Sequence, residues 1–166
     1  KGAEFLIEAE KMKLPVLFIQ NTVGFMVGIE QEQNGAIVHG SALLAAVTAL
    51  SSVKVTLHVG PSFGAGYYAL CAQSFDPDFI LSWPMYELAV MSGRNAAKVI
   101  SLIKKKKKPL SPDDERRIFQ ELEAKYARQS SADYNSYKGR DDCMIDPEDT
   151  LIALCRVAQL CGLYDN

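Results

Sequence analysis

Three motifs of different chemistry overlap in the run Val55–Ala69, VTLHVGPSFGAGYYA. Gly60-Pro61-Ser62-Phe63-Gly64 matches G-x-S-x-G, the nucleophile elbow, which needs a histidine base later in the chain. No histidine follows His58, so Ser62 has no base and the hydrolase reading fails. Gly64-Ala65-Gly66-Tyr67-Tyr68-Ala69 matches the dinucleotide fingerprint G-x-G-x-x-A. That fingerprint begins directly after its strand, yet four residues separate Val59 from Gly64, and Glu87 opens a strand rather than closing one. In the third reading, a small-residue turn presents bare backbone N–H groups at a helix N-terminus, where a developing oxyanion is stabilised. A turn that merely packs is the plain alternative.

Asn21-Thr22-Val23-Gly24-Phe25-Met26-Val27-Gly28 follows the end of an apolar strand. Loops at the carboxyl ends of parallel strands are where α/β proteins hold ligands. Phe25, Met26 and Val27 between two glycines suggest an apolar lip on flexible backbone. An ordinary loop tucked into the core is an equal reading of this segment alone.

The elements that must position these segments alternate. Ala3–Met12 reads as a helix with Phe5, Leu6 and Ala9 on one side. Val16-Leu17-Phe18-Ile19 is a strand whose continuous apolar run predicts cover on both faces. A loop over 21–34 leads to a small-residue helix, about Ala36–Leu50. Val53, Val55, Leu57 and Val59 alternate as a strand, Gly60–Gly66 reads as a tight turn, and Tyr67–Gln73 as the helix it opens. Phe79–Leu81 and Leu88–Met91 are short strands. A helix from about Asn95 runs into Lys104–Lys108 and stops at Pro109, its lysines a solvated end that favours the C-terminal dipole. Ser111-Pro112-Asp113-Asp114 and Asp146-Pro147-Glu148-Asp149 are helix starts; the first helix carries Ile118, Phe119, Leu122 and Tyr126, and the second ends near Gly162. The pattern predicts an α/β domain with largely parallel pairing.

The bulk properties exclude several classes. The chain has 166 residues, 48% of them apolar, enough for one domain with a core and too apolar for disorder. A net charge of −2 argues against nucleic acid. The longest apolar run, Ala42–Val47, is far too short to cross a bilayer. The chain opens Lys1-Gly2-Ala3-Glu4 without a signal peptide or an initiating Met, which suggests a processed or larger chain. Cys71, Cys143, Cys155 and Cys161 form no C-x-x-C pair, and with only His39 and His58 available no zinc or other metal set is expected. They read as core thiols of a reducing compartment, and the histidines as half-buried imidazoles.

Six blocks occur in one order and at one spacing: QNTVGFMVG, GAIVHGSALLAAVTAL, GPSFGAGYYALC, PDFILSWP, LAVMSGRNAAKVI and DDCMIDPEDT. In these the chain resembles the carboxyltransferase (β) subunit of biotin-dependent acyl-CoA carboxylases, of the methylcrotonyl-CoA/propionyl-CoA carboxylase type. The resemblance implies a crotonase-like (ClpP/crotonase) ββα superhelix, with residues 1–166 its C-terminal carboxyltransferase domain. It further implies carboxybiotin on a partner protein as cofactor and an acyl-CoA as substrate. The partners implied are an N-terminal CoA-binding half or subunit and a biotin carboxylase/biotin carrier subunit, in a homo- or hetero-oligomer without nucleic acid or membrane. The location implied is the mitochondrial matrix in a eukaryote and the cytoplasm in a bacterium. In such enzymes the biotin nitrogen removes the substrate α-proton and backbone oxyanion holes hold both enolates, with no side-chain base.

Matched residue by residue, Ala65 and Gly66 correspond to the catalytic amide pair for the biotin ureido oxygen. Gly24, Phe25, Met26, Val27 and Gly64 correspond to the biotin-binding backbone. On this reading Gly66→Pro removes one amide and leaves the fold intact. Tyr67 or Tyr68 could wall the slot, and Lys104–Lys108 is weighed as a phosphate grip against its solvated-end reading. The chain departs from the family pattern at Pro61 (Gly), Arg140 (Trp), Cys143 (Gly) and Leu151 (Arg), and its Ser-Ala-Arg run is not recognisable in Asn135–Lys138. These departures keep a non-catalytic assembly subunit as the alternative. A hydratase of the same superfamily would want an acid near the oxyanion turn, and Gly60–Gln73 contains none.

Overall fold

The computed structural model describes residues 1–107 and 111–163. Five parallel strands carry the fold: β1 (Val16–Thr22), β2 (Lys54–Phe63), β3 (Phe79–Ser82), β4 (Glu87–Ala89) and β5 (Cys143–Met144). They run in the order β1-β2-β3-β5, and β4 pairs with the far end of β2. Helices α1 (Gly2–Lys11), α2 (Ile29–Gln33), α3 (Ala36–Ala49) and α4 (Gly64–Ala69) occupy the first half. Helices α5 (Gly93–Lys107), α6 (Pro112–Ser130), α7 (Ala132–Tyr137) and α8 (Thr150–Leu160) follow.

Strand β2 is longer than its alternation suggested. Val55–His58 pairs with β3, and Pro61–Phe63 then pairs with β4. The expected tight turn at Gly60 is therefore strand as far as Phe63, and the turn is compressed into Gly64. The reason is tertiary: the register against β1 shifts between Gln20 and Thr22, so the strand twists onto a second partner after a bulge. Pro61 is tolerated because it sits inside that irregular stretch, between His58 and Ser62.

The sheet has two unequal faces. Leu6 and Ala9 of α1 and Ala46 and Val47 of α3 close over Val16 and Phe18 on one side. On the other, Val157 of α8 closes over Val55, Leu57 and Leu81. Leu17 and Ile19 point to this second face and remain 41% and 58% exposed. The expectation of cover on both faces of β1 is thus corrected, because β1 is the edge strand and α8 lies over β2 and β3. Phe5 likewise leaves the α1 stripe and faces outward.

Other expectations hold locally. Ser111 caps α6, its hydroxyl accepting from the Asp114 N–H at 3.1 Å, and Gly162 adopts φ +68 just past α8. The loop over 21–34 contains the short helix α2, and α7 and β5 emerge where no sequence pattern marked them. Lys108 and Pro109, the expected end of α5, lie outside the described residues. Of the four free thiols only Cys71 is buried; Cys143 and Cys155 are exposed, so the core-thiol expectation holds for one. None of the helices described is long and apolar enough to cross a membrane.

Candidate functional site

Strand β2 passes directly into α4, and Gly64 makes the junction possible. Its φ is +56, and a Cβ there would stand 2.9 Å from the Val90 carbonyl oxygen, so both backbone angle and space demand glycine. The first N–H groups of a helix lack intrahelical acceptors, and in α4 these include Ala65 and Gly66. Ala65 is exposed and Gly66 buried. Gly64 and Ala65 line a cleft of about 480 Å³, walled by Tyr67, Tyr68, Val90 and Arg140.

The loop after β1 meets α4 from the other side. The Thr22 hydroxyl accepts from the Gly24 N–H at 3.2 Å, and Gly24 backs directly onto Gly66. Phe25 lays its ring over Gly40 of α3, in the space a Cβ would fill. Gly24, Phe25 and Met26 line a separate cleft of about 640 Å³ with α1 and α3. Val27 lines neither and is 88% exposed. The structure therefore joins Gly24 to Gly66, splits the remaining expected residues between two clefts, and leaves Val27 outside both.

Ser62 is not a nucleophile in waiting. It is fully buried and donates its hydroxyl to Gln20 Oε1, whose amide in turn donates to the Leu70 carbonyl at 2.6 Å. This pair ties β2 to β1 and α4.

Behind the cleft lies a polar layer. Asp141 Oδ2 accepts from Ser82 at 2.5 Å and from Ser136 at 2.7 Å. Asp142 Oδ2 accepts from the Ile80 N–H at 2.7 Å, fastening β3. His58, expected half-buried, is fully enclosed and stacks on Tyr86 with ring centroids 5.0 Å apart. Neither ring nitrogen has a partner among the described residues. Burial lowers its pKa from 6.5 to about 4, against the opposing pull of Asp141, so the imidazole is neutral near pH 7. Burial also pushes the Tyr86 phenol up. His39, expected half-buried as well, is exposed on α3 beside Gly35. Among the described residues no cluster of His, Cys, Asp or Glu could hold a metal.

Sequence reasoning missed Val90 and Asn135 as cleft residues, since both arrive from distant elements. Arg140 was marked only as a departure from a pattern.

The carboxyl transferase domain family matches residues 1–161. The chain is 36% identical over 167 aligned residues to the biotin-dependent 3-methylcrotonyl-coenzyme A carboxylase beta1 subunit of Mycobacterium tuberculosis, covering 98% of this chain and 32% of that protein. It is 35% identical to the mitochondrial methylcrotonoyl-CoA carboxylase beta chain of Arabidopsis thaliana, covering 96% and 28%. Among solved structures, the geranyl-CoA carboxylase beta subunit of P. aeruginosa superposes with a TM-score of 0.89 at 38% identity, covering 98% and 31%. The transcarboxylase 12S structure superposes at 0.86 with 26% identity, covering 99% and 31%. The chain spans about a third of the length of the curated relatives it matches.

Proposed function

Because this chain belongs to the carboxyl transferase domain family, with its crotonase-like fold, we propose that it forms the carboxybiotin-facing half of an acyl-CoA carboxylase carboxyltransferase site. The observation that carries the reading is the cleft at the start of α4, where the amides of Ala65 and Gly66 begin a helix beside an accessible cavity of about 480 Å³. Carboxybiotin on a partner's carrier domain is one substrate, and an acyl-CoA of the methylcrotonyl-CoA class is the other.

Biotin supplies an activated carboxyl group. The chain's own residues then bind and orient. The N–H groups of Ala65 and Gly66, reinforced by the N-terminal end of α4, hold negative charge as it develops on the ureido oxygen. Such donors act in the transition state and raise the rate, not merely the binding. Gly24, backed onto Gly66, fixes those amides from behind, and Tyr67 and Tyr68 wall the slot. Phe25, Met26 and Val27 form an apolar lip that meets the carrier domain. A CoA-binding half completes the site across a subunit contact, consistent with an oligomer.

The alternative of a non-catalytic assembly subunit draws less support. Of the positions that depart from the resembled pattern, Pro61, Cys143 and Leu151 line neither cleft, while Arg140 and Asn135 line the α4 cleft and leave it open at about 480 Å³.

Ala65→Phe tests the proposal. Ala65 is exposed and lines the cleft, so a phenyl ring there obstructs the slot without disturbing the core. Carboxyl transfer by the full-length protein, assembled with its partner chains, should fall at least about a hundredfold, with the melting temperature unchanged. Wild-type turnover in this variant overturns the assignment.

A further inference from the structure

Arg140 is the one charged residue among those that line the α4 cleft. Its backbone is held in place: the Arg140 N–H donates to the Asn135 carbonyl at 3.0 Å, and the Gly139 carbonyl accepts from Gln73 Nε2 at 2.8 Å. The acids next to it are already engaged. Asp141 is taken by Ser82 and Ser136, and Asp142 by the Ile80 N–H. In the ion pairs found among the described residues, Arg140 takes no part. Two further polar side chains of the cleft are engaged as well. The Asn135 amide donates to carbonyls including Ser131 O at 2.9 Å, and the Tyr67 hydroxyl accepts from the Gln73 N–H at 3.0 Å. Burial pushes the Tyr67 phenol up, against the hydrogen bond from the Gln73 N–H and the nearby Arg140 charge.

We propose that Arg140 is a carboxylate anchor at the rim of the α4 cleft, a role that rests on the carboxyltransferase reading above. A guanidinium without a protein acid, beside mostly apolar walls, matches the planar geometry of a carboxylate and pairs with it through two N–H donors. The proposed reaction presents that group at both ends: on the biotin nitrogen before transfer and on the acyl chain after it. Because the carboxylate is already charged in the bound ground state, the anchor strengthens binding and does not speed the chemical step.

The test uses the full-length protein, assembled with its partner chains, in both directions. In one, N-carboxybiotin methyl ester donates to the acyl-CoA; in the other, the carboxylated acyl-CoA donates to biotin methyl ester. Arg140→Gln is expected to raise KM for at least one carboxylate-bearing donor by about tenfold or more. KM for uncharged biotin methyl ester, and kcat, should move by less than about twofold. Arg140→Lys should recover part of the loss, as a point charge without the fork. An effect on N-carboxybiotin methyl ester locates the anchored group on the biotin, and one on the acyl-CoA donor locates it on the acyl chain. Unchanged KM for both donors, or an equal rise for biotin methyl ester, overturns the anchor. If the wild type transfers nothing in either direction, the carboxyltransferase reading fails, and acetate titrated against the Arg140 side-chain NMR signal decides the anchor. A saturable shift that Arg140→Gln abolishes sustains it; no shift overturns it.

Discussion

Gly66 touches Gly24: a Cβ on Gly66 would stand 3.0 Å from the Gly24 Cα and 2.7 Å from the Thr22 hydroxyl. The two segments proposed to hold the biotin headgroup are therefore pressed backbone to backbone. Any side chain at position 66 must drive them apart.

Gly66→Ala is accordingly expected to cost about 1–3 kcal/mol, the range for overpacking a well-filled site. Carboxyl transfer should fall with it, because the displaced loop re-aims the amides. Thermal melts read alongside turnover check both effects. Gly66→Pro adds a larger ring to the same contact, so it does not delete one amide from an intact fold, contrary to the sequence expectation.

Ser62→Ala separates structure from catalysis. The change leaves Gln20 Oε1 buried without its donor, a loss of about 1–3 kcal/mol. Chemical denaturation should detect it. The folded fraction should retain most of its transfer activity. A hundredfold loss in fully folded protein would restore Ser62 as a nucleophile.

His58 makes stability depend on pH. Its folded pKa is about 4, lowered from 6.5 chiefly by burial, so between those values the unfolded chain binds more protons than the folded one. Stability is complete above about pH 6.5 and falls as the pH drops toward 4, by roughly 3 kcal/mol in all. His58→Phe keeps the stacking on Tyr86 and removes the titration. Its denaturation midpoint should vary less over that window than the wild type's; an unchanged slope would locate the effect elsewhere.

Apolar surface gathers around the loop after β1 and the outer side of α3. Val27, Ile37 and Val38 are all largely exposed there, and patches of this kind mark interaction surfaces or aggregation liabilities. The 166-residue chain alone is expected to associate in sedimentation runs and to lack carboxylase activity. Val27→Glu combined with Ile37→Lys should shift it toward monomer. Activity from a well-behaved monomer would contradict a site shared between subunits.

Much of the fold could be read from local rules. The period-two pattern of Val53–Val59 marked β2, the Ser111-Pro112 start marked α6, and Gly162 marked the end of α8, because each depends on neighbours a few residues apart. The glycine-rich junction at Gly64 also identified itself, since few residues other than glycine tolerate its backbone angle. What the sequence could not decide was which apolar residues find cover and which polar ones lose water. Leu17 and Ile19 look like core and lie on an open edge, because the core beneath α8 is built on β2 and β3. His58 alternates like a surface residue, yet it is sealed beneath Tyr86, and Arg140 enters the cleft from 75 residues beyond Ala65. These outcomes depend on strand order and on which helix lies over which strand. Local spacing determined the elements of this protein, and long-range packing decided the environment in which its chemistry takes place.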